Sequence, residues 1–276
     1  MVDTYLAYPA PQLKDYIKCY TLREIECRDN PIIKPLWAND TSFLAFWLKK
    51  EPVAYYRNDE RIAVNMEARP LFGVHTQYGG YQVFGGSYKF VGVEFKDNGC
   101  YSLFKVPMQY LRNQLLNSDD VIGKEIRFLE EAFSECYNMQ RIKEVADKFF
   151  IQQLYRTTHK DVENRITEAC KILKHQQFSS IREIADALNM SMRSFEIQFL
   201  NQIGMSPIAY ARLKRFQRAI NCKIKDPSSS WTSIAHHCNY FDQNHFIKDF
   251  KIYTGDSPSK LFQNQPPPTE NIIRLV

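Results

Sequence analysis

A nine-residue unit occurs twice in this 276-residue chain, as FLNQIGMSP at 199–207 and as FKIYTGDSP at 250–258. Both copies follow F-x4-G-x-S-P. Extended backwards, the first copy reads Ile184-Ala185, Leu188, Asn189, Phe195, Phe199, Gly204 and Ser206-Pro207. The second reads Ile234-Ala235, Cys238, Asn239, Phe246, Phe250, Gly255 and Ser257-Pro258. The offset is 50 residues up to the Asn-centred turn and 51 after it, so the two turns differ by one residue.

This spacing predicts a short helix, a tight turn and a second helix, made twice. Ile-Ala with an apolar residue four after the Ile is one buried stripe, and Phe at i and i+4 is another. Ser191 and Asp242 stand where N-caps belong, and each Gly stands where a left-handed residue ends a helix. Helix, turn and helix with a buried first element is the helix-turn-helix plan, whose second helix enters the DNA major groove. One such match describes any pair of antiparallel helices. Two, joined by SPIAYARLKRFQRAINCKIK (206–225), are far more specific.

Residues 163–263 resemble the C-terminal DNA-binding domain of the AraC/XylS family of bacterial transcription regulators. IREIADALNMSMRSFEIQFLNQIGMSPIAYARLKRFQRA and SIAHHCNYFDQNHFIKDFKIYTGDSPSKL carry the resemblance. The family usually has Gly-Phe before the second turn, where this chain has Asn239-Tyr240. Asn tolerates the left-handed region and Tyr preserves an aromatic plug. The resemblance implies two recognition helices in successive major grooves of double-stranded DNA, about 34 Å apart. It also implies RNA polymerase as a partner and an N-terminal cupin-like β-barrel that binds a small effector, forms a homodimer, or both.

Charge fits a polyanionic partner. Residues 161–276 hold 15 Lys+Arg against 11 Asp+Glu, most of the chain's net +5. If Phe195 and Phe199 point inward, Arg193, Glu196, Ile197 and Gln198 lie on or near the opposite face as candidates for base contact. Gln243, Asn244, Ile247 and Lys248 are the set on the second helix. Arg suits a guanine edge, Asn or Gln adenine, Glu a cytosine amino group and Ile a thymine methyl. Ser191, Arg212, Lys214, Arg215, Arg218 and Lys251 are phosphate candidates. For each of these the competing reading is an ordinary solvated helix position. His236, His237 and His245 lack a Cys or carboxylate at ligand spacing, so no metal is expected.

The first hundred residues follow a different pattern. SFLAFWL (42–48), PVAYY (52–56), RIAVNM (61–66) and YKFVGVEF (88–95) read as strands, with Val91, Val93 and Phe95 on one face. The breaks GGY, GGS and DNG suit an antiparallel barrel or sandwich. After residue 107 the period becomes helical. Ile126, Leu129, Phe133, Cys136 and Tyr137 form one stripe, and Ile142, Val145, Phe149 and Leu154 another. These offer a self-association face or burial against the barrel.

The expected fold class is α+β: an antiparallel cupin-like β-barrel with helices (1–155), a linker (156–162), an all-α double helix-turn-helix domain (163–265) and a tail (266–276). YLAYPAPQLKDYIKCY (5–20) and residues 90–123 are similar to the sensor region of a poorly characterised subgroup of these regulators. Trp37, Phe43, Trp47 and Tyr55, with Phe72, His75, Tyr78 and Phe84, supply aromatic surface for an effector pocket, or else simply fill the core. A metal cupin needs several His, and residues 1–155 contain only His75. With no nucleophile elbow or phosphate-cradling loop, neither an enzyme nor a cofactor is expected. Seven scattered cysteines without a C-x-x-C pair fit reduced thiols, and with no signal or membrane-spanning pattern the cytoplasm is the expected location. The competing function is a small-molecule-binding or scaffolding protein whose helical domain docks a protein partner.

Overall fold

Short alternating segments build the N-terminal half into two antiparallel sheets. The computed structural model describes residues 2–62, 69–157, 161–175 and 180–262. Its strands are β1 (Val2–Ala7), β2 (Ile17–Glu26), β3 (Ile32–Pro35), β4 (Phe43–Lys49) and β5 (Val53–Arg57). They continue as β6 (Glu60–Ile62), β7 (Pro70–Phe72), β8 (Tyr81–Phe84), β9 (Ser87–Phe95) and β10 (Leu115–Asn117). One sheet runs β1-β2-β9-β4-β7-β10 and the other β3-β8-β5-β6. The predicted 61–66 strand is described only as far as Ile62; the rest lies outside the described residues.

β9 sits centrally, pairing Val93 with Tyr20 of β2 and with Leu44 of β4. Val91, Val93 and Phe95 are buried as expected, and so are Tyr88 and Phe90 on the other face. Both faces are therefore covered. One is covered by helices and the other by the second sheet, where Phe84 meets Tyr88 with ring centroids 5.2 Å apart.

The helices that follow are α1 (Gly99–Phe104), α2 (Ser118–Val121), α3 (Ile126–Ser134) and α4 (Met139–Arg156). Phe133 of α3 packs edge-on against Phe46 of β4 at 5.1 Å, which buries that predicted stripe against the sheet. Tyr137 is not part of it: α3 ends at Ser134, and Tyr137 is 86% exposed. The second stripe also differs. α4 buries Ile142, Ala146, Asp147 and Phe150, whereas Val145, Phe149 and Leu154 are only half-buried. Asp147 turns this face inward by accepting from the Tyr20 hydroxyl at 2.9 Å and the Ala10 backbone N–H at 3.0 Å. A buried carboxylate satisfied in this way is invisible to an apolar periodicity.

The helical half comprises α5 (Asp161–His175), α6 (Ile181–Ala187), α7 (Met192–Ile203), α8 (Pro207–Lys225), α9 (Trp231–His237), α10 (Gln243–Thr254) and α11 (Pro258–Phe262). Its core runs through Phe195, Phe199, Tyr210, Phe216, Phe246 and Phe250, and it takes in Ala38 and Val74 from the N-terminal half. The predicted tail lies outside the described residues. Among the described residues, no helix is long and apolar enough to cross a membrane.

Candidate nucleic-acid interface

Each repeat folds into a helix, a turn and a longer helix, and both turns use the same local devices. Asn189 and Asn239 close them in the left-handed region, at φ 52° and 58°. The Ser191 hydroxyl accepts from Ser194 N–H, and the Asp242 carboxylate from His245 N–H. Gly204 and Gly255 end α7 and α10 at φ 87° and 84°. Tyr240 is buried and plugs the second turn against Phe246 at 5.2 Å. The one-residue difference between the turns is Phe241. It precedes the α10 cap, lies 92% exposed and touches the edge of the His245 ring.

The faces of α7 and α10 opposite the buried Phe pairs carry most of the predicted base-contact set. Arg193, Glu196 and Ile197 are exposed and Gln198 is half-buried; Gln243, Asn244 and Lys248 are exposed. Ile247 is half-buried against the helical core. Counted from the caps, Arg193 and Asn244 occupy the same second helical position, as do Glu196 and Ile247, then Ile197 and Lys248, further along. Gln243 lies one residue closer to its cap, where it accepts a hydrogen bond from Thr232 at 3.3 Å.

The phosphate candidates are placed differently. The four phosphate candidates on α8 all have protein partners. Arg212 and Arg215 face the buried carboxylate of Asp249, at 2.5 Å and 3.8 Å. Arg215 also stacks over Tyr240, its guanidinium carbon 4.3 Å from the ring centroid. Arg218 donates to the Lys174 carbonyl at 2.9 Å, and Lys214 pairs with Asp40 at 2.7 Å. These side chains knit the helical half together and join it to the N-terminal half. Ser191 spends its hydroxyl on capping α7, and Lys251 is exposed. His236 and His237 close α9, and His245 Nδ1 lies 3.0 Å from Asp242.

The N-terminal half grips both helix-turn-helix units. Asp40 accepts from Lys214 and, at 2.9 Å, from the Gln217 amide. Asp97 accepts from the Tyr210 hydroxyl at 2.7 Å and from Lys174 at 2.8 Å. Asn98 donates to Gln202 on α7. The backbone N–H groups of Ala38 and Tyr78 donate to Tyr253 and Ile252 at the end of α10. A Cβ on Gly204 would stand 2.9 Å from the Met108 carbonyl oxygen, and one on Gly255 would stand 2.7 Å from the Tyr78 ring. α7 and α10 therefore both end against the N-terminal half. The DNG break at 97–99 contains two of the gripping residues. Its polar composition marked a turn, but its partners are set only by the tertiary fold.

A cavity of about 200 Å³ lies between the two sheets. Of the residues expected at a pocket, Trp37, Phe43, Trp47, Phe72, His75 and Phe84 line it. Tyr55 and Tyr78 do not. Tyr55 is buried beside Gln82, with burial pushing its phenol well above the ordinary range, and Tyr78 packs on Gly255 at the contact with α10. Sequence reading missed Arg23, Lys34, Gln82, Phe90 and Glu94 among the lining residues. The period of two along β4 (Phe43, Ala45, Trp47) and β8 (Gln82, Phe84) carries the signal that identifies this face. His75 donates or accepts at Nδ1 with the Gly73 carbonyl at 3.1 Å, and burial lowers its pKa.

Residues 184–264 match the family described as a helix-turn-helix domain, and residues 6–117 match a domain of unknown function (DUF6597). The HTH-type transcriptional activator RhaS of Escherichia coli O157:H7 (strain EC4115 / EHEC) is 30% identical over 82 residues, which cover 30% of this chain and 29% of RhaS. RhaS of Escherichia coli O9:H4 (strain HS) is 29% identical over the same length. The chain thus spans less than a third of the curated relatives it matches. Among solved structures, ToxT from Vibrio cholerae O395 aligns over 87% of this chain and 95% of its own, at 14% identity and a TM-score of 0.43. The unsaturated fatty acid-bound wild-type ToxT of strain SCE256 aligns at 13% identity with a TM-score of 0.43, over 87% and 93% of the two chains.

Proposed function

We infer that this chain, whose helical half carries a helix-turn-helix domain of the AraC type, is a sequence-specific DNA-binding transcription regulator and not an enzyme. One observation carries the reading: two capped helices, made by one repeated unit, present Arg193 and Asn244 at the same exposed position. α7 and α10 would enter successive major grooves, with Arg193, Glu196, Ile197 and Gln198 on the first and Gln243, Asn244, Ile247 and Lys248 on the second. Lys251 and the half-exposed Arg212 are the best-placed phosphate donors of the predicted set. Ser191, Lys214, Arg215 and Arg218 would serve chiefly by holding the helices in place.

In this reading residues 1–155 are a cupin-like sensor or dimerisation domain, 156–162 a linker and 163–265 the DNA-binding domain. RNA polymerase would be a partner, and the cytoplasm the place of action. Because the N-terminal half holds the ends of both recognition helices, an effector bound there would change DNA occupancy by shifting that grip.

Salt titration tests the reading. With about four phosphates neutralised, affinity for the DNA upstream of its own gene is expected to fall about a hundredfold between 50 and 200 mM salt. Protein docking through an apolar face would leave affinity for its partner nearly level over that range, with no DNA bound.

A further inference from the structure

We propose that Phe241, its ring resting on His245 at the leading end of α10, reads the 5-methyl group of a thymine in the DNA under that helix. The inference rests on the DNA-binding reading and adds to it a residue that sets sequence preference in one half of the site.

The inserted residue is turned outward by a change in how the helix start is fastened. A hydrophobic residue just before an N-cap often packs on the residue four positions after the cap. The first repeat follows that rule. Met190 precedes the cap Ser191, is 9% exposed and shares a core with Phe195, the fourth residue after the cap. In the second repeat Phe241 precedes the cap Asp242, and Phe246 stands four after it. The place beside Phe246 is taken instead by the buried Tyr240, with ring centroids 5.2 Å apart. The extra residue has moved the fastening back by one position and left Phe241 92% exposed. Its ring meets His245 rather than the core, so the gain from burying it is left for a partner.

The surroundings identify that partner. Phe241 meets His245 with centroids 6.0 Å apart and ring planes at 83°. His245 is exposed, with its Nδ1 3.0 Å from the capping Asp242, and it lies between Asn244 and Lys248 in sequence. Gln243, Asn244, Lys248 and Lys251 are exposed and polar or basic. The other large apolar residue exposed on α10, Ile252, is near the far end of the helix. An apolar protein partner would find a single phenyl ring among polar groups, too little for the desolvated centre of an interface. A duplex fits better. The first residues of a recognition helix reach base edges, and in the major groove the thymine 5-methyl is the apolar group on offer, one that Phe can meet. In the first repeat Met190 is buried, so the preference belongs to the half-site under α10.

The test selects binding sites from a random-sequence duplex pool with the full chain and with Phe241→Ser, whose folding is confirmed by thermal melts. Wild-type sites should carry a thymine at one position of one half, and the variant's sites should show no preference there. Replacing that thymine with deoxyuridine keeps the base pair and removes the methyl. This should lower wild-type affinity about fourfold, the effect of one methyl-sized group, and leave the variant's affinity unchanged. Two results overturn the proposal while the DNA-binding reading stands. One is the absence of any thymine preference that depends on residue 241. The other is a loss in Phe241→Ser that is equal on thymine and deoxyuridine duplexes, as contact with sugar or phosphate would give. If wild type enriches no sequence from the pool, this inference and the DNA-binding reading fall together.

Discussion

Replacing Asp40 with alanine is expected to destabilise the folded chain by about 3–5 kcal/mol, because it leaves a buried ammonium without its counter-charge. Asp40 is 4% exposed, and Gln217 beside it is equally buried. The Lys214 side chain is 15% exposed. Asp40→Asn keeps an acceptor for Gln217 and should cost less. Burial alone would raise the Asp40 pKa, but attraction to Lys214 and hydrogen bonds from Lys214 and Gln217 outweigh it and hold the pKa below the ordinary value. A carboxyl depressed on folding contributes fully above its unfolded pKa, and that contribution is lost as pH falls through the folded value. The gap between wild type and Asp40→Asn should therefore be widest at neutral pH and close below about pH 4. Urea unfolding across that range checks both sign and window. A gap that stays constant with pH would mean that the pair contributes no charge-dependent stability.

Phe216→Ala should cost a similar amount, about 3–5 kcal/mol, for a different reason: a large side chain is removed from a closed core. Phe216 is fully buried on α8, its ring 5.4 Å from Phe250 and 5.0 Å from Tyr253 of α10. Phe250 in turn meets Phe246 at 5.6 Å and Trp231 at 5.5 Å. The cavity would open where α8 supports α10. Amide exchange should then quicken in α9 and α10 before it does in β2 and β9. Uniform quickening through both halves would show instead that the molecule opens as one cooperative unit.

What the sequence disclosed follows from how local each signal is. The caps Ser191 and Asp242, the left-handed Asn189, Asn239, Gly204 and Gly255, and the paired phenylalanines all act within one or two turns of their own chain. Their pattern was legible, and repetition made it specific. β2 was not read, because its partner β9 lies about seventy residues away and both faces of the pair are covered, leaving little alternation. The α4 face was misplaced because Asp147, an acid, belongs to it. The role of α8 was half-read: its basic residues were plain, but Asp40 and Asp249, which engage Arg212, Lys214 and Arg215, come from distant segments. The cavity was visible as aromatic excess, whereas its cations and its Gln82 needed strand register to be assigned.

The most direct measurement is the affinity of the full chain for its own upstream DNA and for an unrelated duplex, beside an Arg193→Ala, Asn244→Ala double variant. Each bidentate base contact is worth about 1–3 kcal/mol of discrimination. The variant should therefore lose about two to four orders of magnitude on the specific site and little on the unrelated duplex, while melting like wild type. Equal losses on both duplexes, or none on either, would contradict the claim that α7 and α10 read bases.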